Sequence, residues 1–298
     1  MNPREKGFLL LTSHLGDPVR RVLSSPQLRQ LTRRMAGADI PSEERELCLG
    51  DLVRLGYGPD MAVRILELLN DEDILSNYLY KAQSCGCFPL TRVSEGYPLI
   101  LRKRLGEDSP GCLWLKGERE ILASPGIALV GSRDMLPENQ AFAEAVGIRA
   151  AEQGLTLISG NARGADRAAQ EACLAHGGRV ISVIADSLES QPLRERVLYV
   201  SEDGFDLPFT SQRALSRNRV IHSWGELTFV AQAKHGSGGS WVGTTQNLHS
   251  GWSTVVCFRD GSEAMNALEQ LGAYLADIHE LQDMTAFINP QLDLFHRQ

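Results

Sequence analysis

No apolar run in this 298-residue chain approaches the ~18 residues that a membrane span needs; Ile127–Val130 is among the longest. The N-terminus carries Arg4 and Lys6, but Phe8–Leu11 is too short for the core of a signal peptide, so the chain reads as cytoplasmic. Paired cysteines are missing too. Cys48, Cys85, Cys87, Cys112, Cys173 and Cys257 are scattered, and the close pair Cys85–Cys87 has no second pair or histidine pair to complete a zinc site. No metal is expected, and the thiols read as reduced and mostly buried. An excess of positive charge is also absent, because the net charge is −7. Residues 1–34 hold seven basic and two acidic side chains, whereas residues 105–298 hold fifteen against twenty-four. Any nucleic-acid surface must therefore be a local patch.

What is present divides into two regions. Residues 1–88 look helical. Leucines and valines recur at helical spacing from Asp17 to Arg34, Pro41–Glu44 reads as a helix start, and a further helix is expected over Asp71–Gln83. The segment Gly56-Tyr57-Gly58-Pro59-Asp60-Met61-Ala62-Val63-Arg64-Ile65 fits the core of a helix-hairpin-helix, whose turn aims backbone N–H groups at a DNA phosphate. Asp60 stands where a lysine would help, so DNA contact and a purely structural helical region both stay open. The proline- and glycine-rich stretch Phe88–Gly117 reads as a junction.

Beyond it, Ile127–Val130, Leu155–Ile158, Val180–Ala185, Leu227–Ala231 and Val255–Phe258 are strand candidates. Glu138–Gln153 and Ala165–His176 between them are helix-like. Strand, helix, strand at this spacing predicts parallel βαβ units in a doubly wound, mostly parallel α/β sheet over residues 89–298, with a short helical tail.

Ligands of such sheets sit where the carboxyl ends of strands meet helix N-termini, and three glycine loops fall there. Gly131-Ser132-Arg133 offers backbone approach, a hydroxyl and a guanidinium fork. Ser159-Gly160-Asn161-Ala162-Arg163-Gly164-Ala165-Asp166 opens a helix whose N–H groups attract an anion. Gly236-Ser237-Gly238-Gly239-Ser240 precedes a helix-like Thr244–Leu248. Neither G-x-G-x-x-G nor the P-loop pattern occurs, so no dinucleotide or ATP cofactor is expected. Arg213, Arg217, Asn218 and Arg219, with Lys234, add a basic stretch on an acidic half-chain, read as a polyphosphate groove.

Together these residues resemble the DNA-processing protein A (DprA/Smf) family over about residues 45–275. The matching blocks are Tyr97-Pro98, Pro110, Leu113–Gly117, Ile127–Arg133, Ser159–Asp166, Arg217–Ile221 and Ser237–Thr244, in the family's order. The resemblance implies an extended Rossmann fold, a homodimer, binding of single-stranded DNA and its delivery to the RecA recombinase in recombination or natural transformation. Gly131, Ser132, Arg133, the Ser159–Asp166 loop, Arg217, Asn218, Arg219, Lys234, Ser237, Gly238, Gly239, Ser240 and Thr244 are then the expected phosphate contacts. The chain departs from the pattern at Gln170, where the family has histidine, at Ala214-Leu215 for a Phe-Pro pair, at Gln232-Ala233 for Glu-Ala, and at Ala185 and Ser187 for a glycine pair. No winged helix is expected in the ~35 residues after Gly261.

An enzyme would need a nucleophile–base pair, a metal cluster or paired carboxylates. Histidines 14, 176, 222, 235, 249, 279 and 296 pair with no nucleophile at a recognisable spacing, and Asp166 reads as a helix cap. A binder is therefore expected rather than an enzyme. The rival reading is a Rossmann-like sensor of nucleotide signals in defence, or a nucleotide N-glycosidase. Gly238–Thr244 partly echoes the hydrolase loop, but Gln246-Asn247 stands where that loop carries glutamate.

Overall fold

Strands covered on both faces read as short continuous apolar runs, and the five such runs form the middle of one large sheet. The computed structural model describes residues 1–38, 47–202 and 204–288; the helix start read at Pro41–Glu44 lies outside them. Five helices come first: α1 (Pro3–Thr12), α2 (Ser25–Ala36), α3 (Leu49–Arg54), α4 (Pro59–Asn70) and α5 (Glu72–Ser84). Then follow β1 (Cys87–Thr91), α6 (Leu99–Leu105), β2 (Cys112–Gly117), β3 (Gly126–Val130), α7 (Pro137–Glu152) and β4 (Thr156–Ser159). The chain continues through α8 (Ala165–Ala175), β5 (Arg179–Val183), β6 (Val197–Glu202), α9 (Ser211–Trp224) and β7 (Leu227–Val230). It ends with α10 (Gly239–Ser250), β8 (Thr254–Phe258), α11 (Glu263–Gln270) and β9 (Tyr274–Ala276).

Among the described residues the sheet has nine strands in the order β1-β2-β6-β5-β4-β3-β7-β8-β9. All neighbours from β6 to β9 are parallel, and β1 and β2 add antiparallel pairs at one edge. Side chains alternate across the strands as a two-sided core requires. Ile127, Leu129, Leu157 and Phe229 pack with Phe142, Val146 and Cys173 of α7 and α8 on one face. Ala128, Val130, Ile158 and Ile181 pack with Val220, Trp224 and Met265 of α9 and α11 on the other.

Three expectations change. The stretch Phe88–Gly117 is no mere junction, because it holds β1, α6 and β2. The helix expected over Asp17–Arg34 begins only at Ser25, where Ser24 and Gln27 cap each other and Pro26 sits in the first turn. Residues before it are irregular and wrap Arg20, whose guanidinium donates to the carbonyls of Leu10 (2.8 Å) and Ser13 (2.7 Å) and pairs with Asp71 at 2.9 Å. Last, α10 starts at Gly239, ahead of the expected Thr244.

The helical region is only partly separate. Leu23, Leu31, Leu52 and Ile65 form a small core of their own. Leu9 and Leu10 of α1 and Leu75, Tyr78 and Ala82 of α5 join the main core under the sheet. Tyr78, Trp114 and Phe205 form an aromatic trio with ring centroids 4.8–5.4 Å apart.

Candidate functional site

Strand order places the site. β3 is flanked by β4 on one side and β7 on the other, so the chain leaving β3 enters α7 on one face while the chain leaving β7 enters α10 on the opposite face. This divergence opens a crevice at the carboxyl ends of the strands. A cleft of about 690 Å³ lies there, and the three glycine loops and α9 meet in it. A smaller chamber of about 310 Å³ adjoins it and shares Arg133, Ala162, Phe209 and Arg217.

The loop after β4 spends its polar groups internally. Asp166 is buried, accepts the Ala162 N–H at 3.3 Å and faces Arg217 at 3.9 Å. Arg217 has a side chain only 12% exposed and donates to the Val183 carbonyl at 2.9 Å. Burial raises the Asp166 pKa, which the Arg217 charge opposes; burial lowers that of Arg217, which Asp166 opposes. Gly160 is required beside this pair, since a Cβ there would overlap the Arg217 guanidinium and the Asp166 carboxylate. Asp166 therefore braces the loop, and Gly164, not Asp166, is the residue capping α8. The first N–H of α8, from Ala165, is taken by the Ser132 carbonyl at 3.2 Å. Gly131 serves the same packing, because a Cβ would strike Ala165.

Several expected phosphate contacts are thus placed elsewhere. Arg219 leaves the cleft, pairing with Glu202 at 2.7 Å and reaching the Asp108 carbonyl. Ser159 is fully buried and accepts from Gln170 at 2.7 Å. Gln170, standing where histidine was expected, ties the ends of β4 and β5 through Ser159 and Ser182. Thr244 is fully buried. Arg163 is exposed outside the main cleft and paired with Asp134 at 2.5 Å, and Asn161 donates to Gln191 at 3.3 Å. Arg213, in the basic stretch, anchors the approach to α9 by donating to the carbonyls of Leu207 (3.0 Å) and Pro208 (2.9 Å) and to the Ser201 hydroxyl (2.9 Å).

The loop after β7 is the open one. Lys234 turns back on Ser237, whose N–H donates to it at 3.1 Å, and Gly238, at φ 85°, launches α10 without a side-chain cap. The N–H groups of Gly239, Ser240 and Trp241 find no acceptor among the described residues. Gly239 and Ser240 line the cleft with the positive end of a twelve-residue helix behind them. The loop is tied to its neighbours rather than closed on itself: Ser240 donates to the Gly131 carbonyl at 2.7 Å, Ser132 to the Gln232 carbonyl at 3.3 Å, and Asn218 to the Gly239 carbonyl at 3.2 Å. Arg133 and Lys234 are exposed on the cleft wall, and neither side chain makes a hydrogen bond or ion pair among the described residues. Beneath α10, the fully buried His222 meets Asn247 at 3.2 Å, and burial pushes its imidazole down to about 3.

Sequence reasoning missed Phe209. Its side chain is 50% exposed at the boundary between cleft and chamber. An aromatic ring beside proline, immediately before the Thr210 cap of α9, was the signal available. Away from the cleft, α3 and α4 do form a hairpin through Gly56 (φ 81°), with the Arg34 guanidinium 4.3 Å from the Tyr57 ring. The one cluster with metal-ligand spacing among the described residues, Asp277–His279–Glu280, has both carboxylates paired with Arg259. No helix there is long and apolar enough to cross a membrane.

A mostly parallel sheet with a cation-lined cleft at its switch point defines the class, an extended Rossmann-like fold. The family model described as DNA recombination-mediator protein A matches residues 89–286, and the chain belongs to that family. The chain is 30% identical over 206 residues to the DNA processing protein DprA of Streptococcus pneumoniae, covering 65% of this chain and 70% of that one. It is 32% identical over 156 residues to the protein Smf of Escherichia coli, covering 49% and 41% respectively. The solved structure of the pneumococcal DprA superposes with a TM-score of 0.72 at 25% identity, over 95% of this chain and 99% of that one. A DNA processing protein A from Helicobacter pylori, solved to show its single-stranded DNA binding mode, has the same fold at 22% identity and a TM-score of 0.55, over 70% and 96%.

Proposed function

We propose that this chain is a single-stranded DNA-binding protein of DNA processing and that the strand lies in the cleft at the β3–β7 switch point. The observation that carries this reading is the convergence of unpaired cations, Arg133 and Lys234, on the uncapped start of α10, with Phe209 alongside. Cations and backbone N–H groups hold phosphates without reading sequence. An exposed ring gives any base a face on which to stack, worth about 1–3 kcal/mol per base. The acidic remainder of the sheet region repels DNA elsewhere and confines it to this track. The chain acts as a binder, in the cytoplasm, and needs no cofactor for this duty.

Fluorescence anisotropy of labelled single strands, with duplex and mononucleotide competitors over a salt series, tests the proposal. Steeply salt-dependent binding that prefers single strands is expected. Preference for duplex, or tight binding indifferent to salt, would overturn it. Family membership supports two finer steps, delivery of the strand to RecA and action as a homodimer. Acceleration of RecA filament formation on strands precoated with single-strand binding protein tests the first, and sedimentation equilibrium tests the second. The chamber beside the cleft favours one rival, a site for a free nucleotide, which the mononucleotide competitor addresses.

A further inference from the structure

The smaller chamber has a chemistry that phosphate binding does not explain. Its floor is apolar, formed by Ile184 and Ala185 at the end of β5. Phe209 stands at its mouth, shared with the main cleft, so a base swung off the phosphate track meets a ring at the entrance. Arg133 lies on its rim, where a flanking phosphate would run. Asp186 sits in its wall, half-exposed, with no hydrogen bond or ion pair among the described residues. Its charge offsets part of that of the buried Arg217, and its free lone pairs, which a DNA backbone would repel, suit a group that donates.

We propose that this chamber holds a guanine base, with Asp186 accepting from its N1–H and N2–H₂ groups and Phe209 stacking on its face. A carboxylate accepts only, through two oxygens. Guanine alone among the DNA bases presents two adjacent donors on its Watson–Crick edge. Adenine and cytosine set a ring-nitrogen acceptor beside their amino group, and thymine flanks its single N–H with two carbonyls, so each would point a lone pair at Asp186. The proposal rests on the cleft being a strand site and adds a base preference to it. Guanine within a strand and a free guanine nucleotide share this chemistry, and the test separates them.

Binding is measured for oligothymidylates carrying isolated deoxyguanosine, deoxyinosine or deoxyadenosine, with 5′-dGMP and 5′-dAMP as competitors. Deoxyinosine keeps N1–H but lacks the N2 amino group. The guanine strand is expected to bind roughly tenfold tighter than the adenine and inosine strands. Asp186→Asn, with an unchanged melting temperature, should erase that ratio even if removal of a negative charge strengthens binding to every strand. Equal affinity for all strands, or a guanine preference that survives Asp186→Asn, overturns the guanine pocket and leaves the strand reading standing. Direct binding of fluorescently labelled dGMP, with no strand bound, supports the pocket and overturns the strand reading. No binding of any probe overturns both.

Discussion

The loops after β4 and β7 look alike as text. Both are rich in glycine, both lead into a helix, and both border the same cleft. The first is filled by its neighbours: its acid faces an arginine, the leading N–H of its helix goes to the Ser132 carbonyl, and its glycines make room for neighbouring atoms. The second is left open. Gly236 and Gly238 adopt φ of 69° and 85° with nothing near their missing Cβ, and the N–H groups of α10 stay open. A glycine loop is thus a packing device where neighbouring atoms fill the space its glycines leave, and open to a ligand where they do not.

The largest test of this contrast is Arg217→Ala. It leaves Asp166 buried without its counter-charge, and a loss of about 3–5 kcal/mol in chemical denaturation is expected. Stability close to wild type together with lost DNA binding would erase the distinction between the loops. Next comes acid. His222, which packs against Gly243 and Asn247 of α10, is held neutral with its pKa near 3 rather than 6.5. The unfolded chain binds this proton at a higher pH than the folded one. Its contribution to stability is therefore complete above pH 6.5 and falls as the pH drops toward 3. About 2 kcal/mol should be lost by pH 5, and His222→Gln should flatten that dependence in denaturation curves.

Two tests on the open side are smaller. Phe209→Ala should weaken single-strand binding by about 1–3 kcal/mol in anisotropy titrations, with fold stability nearly unchanged. Arg133→Ala and Lys234→Ala should each lower the salt slope of binding by about one, while stability stays within about 0.5 kcal/mol. A salt slope untouched by both would move the strand away from the loop after β7.

The middle of the sheet was legible because strands covered on both faces concentrate apolar residues in runs that stand out between helices. The edge was not. β1 contains Pro89, β2 ends in Lys116-Gly117, and β6 follows the charged Arg194-Glu195-Arg196. The loops of the site were legible as small residues at strand ends, but the fate of each cation was not. Arg217, Arg219 and Arg133 carry the same side chain, and only their partners separate them: Asp166 across the sheet end, Glu202 on β6, and none. Such partners come from tertiary contacts that no local spacing encodes.

The segment carrying Phe209 is gripped at two points. The Tyr78 hydroxyl donates to Asp206 at 2.8 Å and Lys81 reaches the same carboxylate at 3.1 Å, while Arg213 holds the carbonyls that follow. The rim of the cleft is consequently moored to the helical region, so the two are mechanically one piece. A shortened chain starting at β1 would lose the anchor as well as α5, and its aromatic shelf would drift before the sheet itself gave way. Movement of α5, from whatever cause, would in turn be felt at the Phe209 ring.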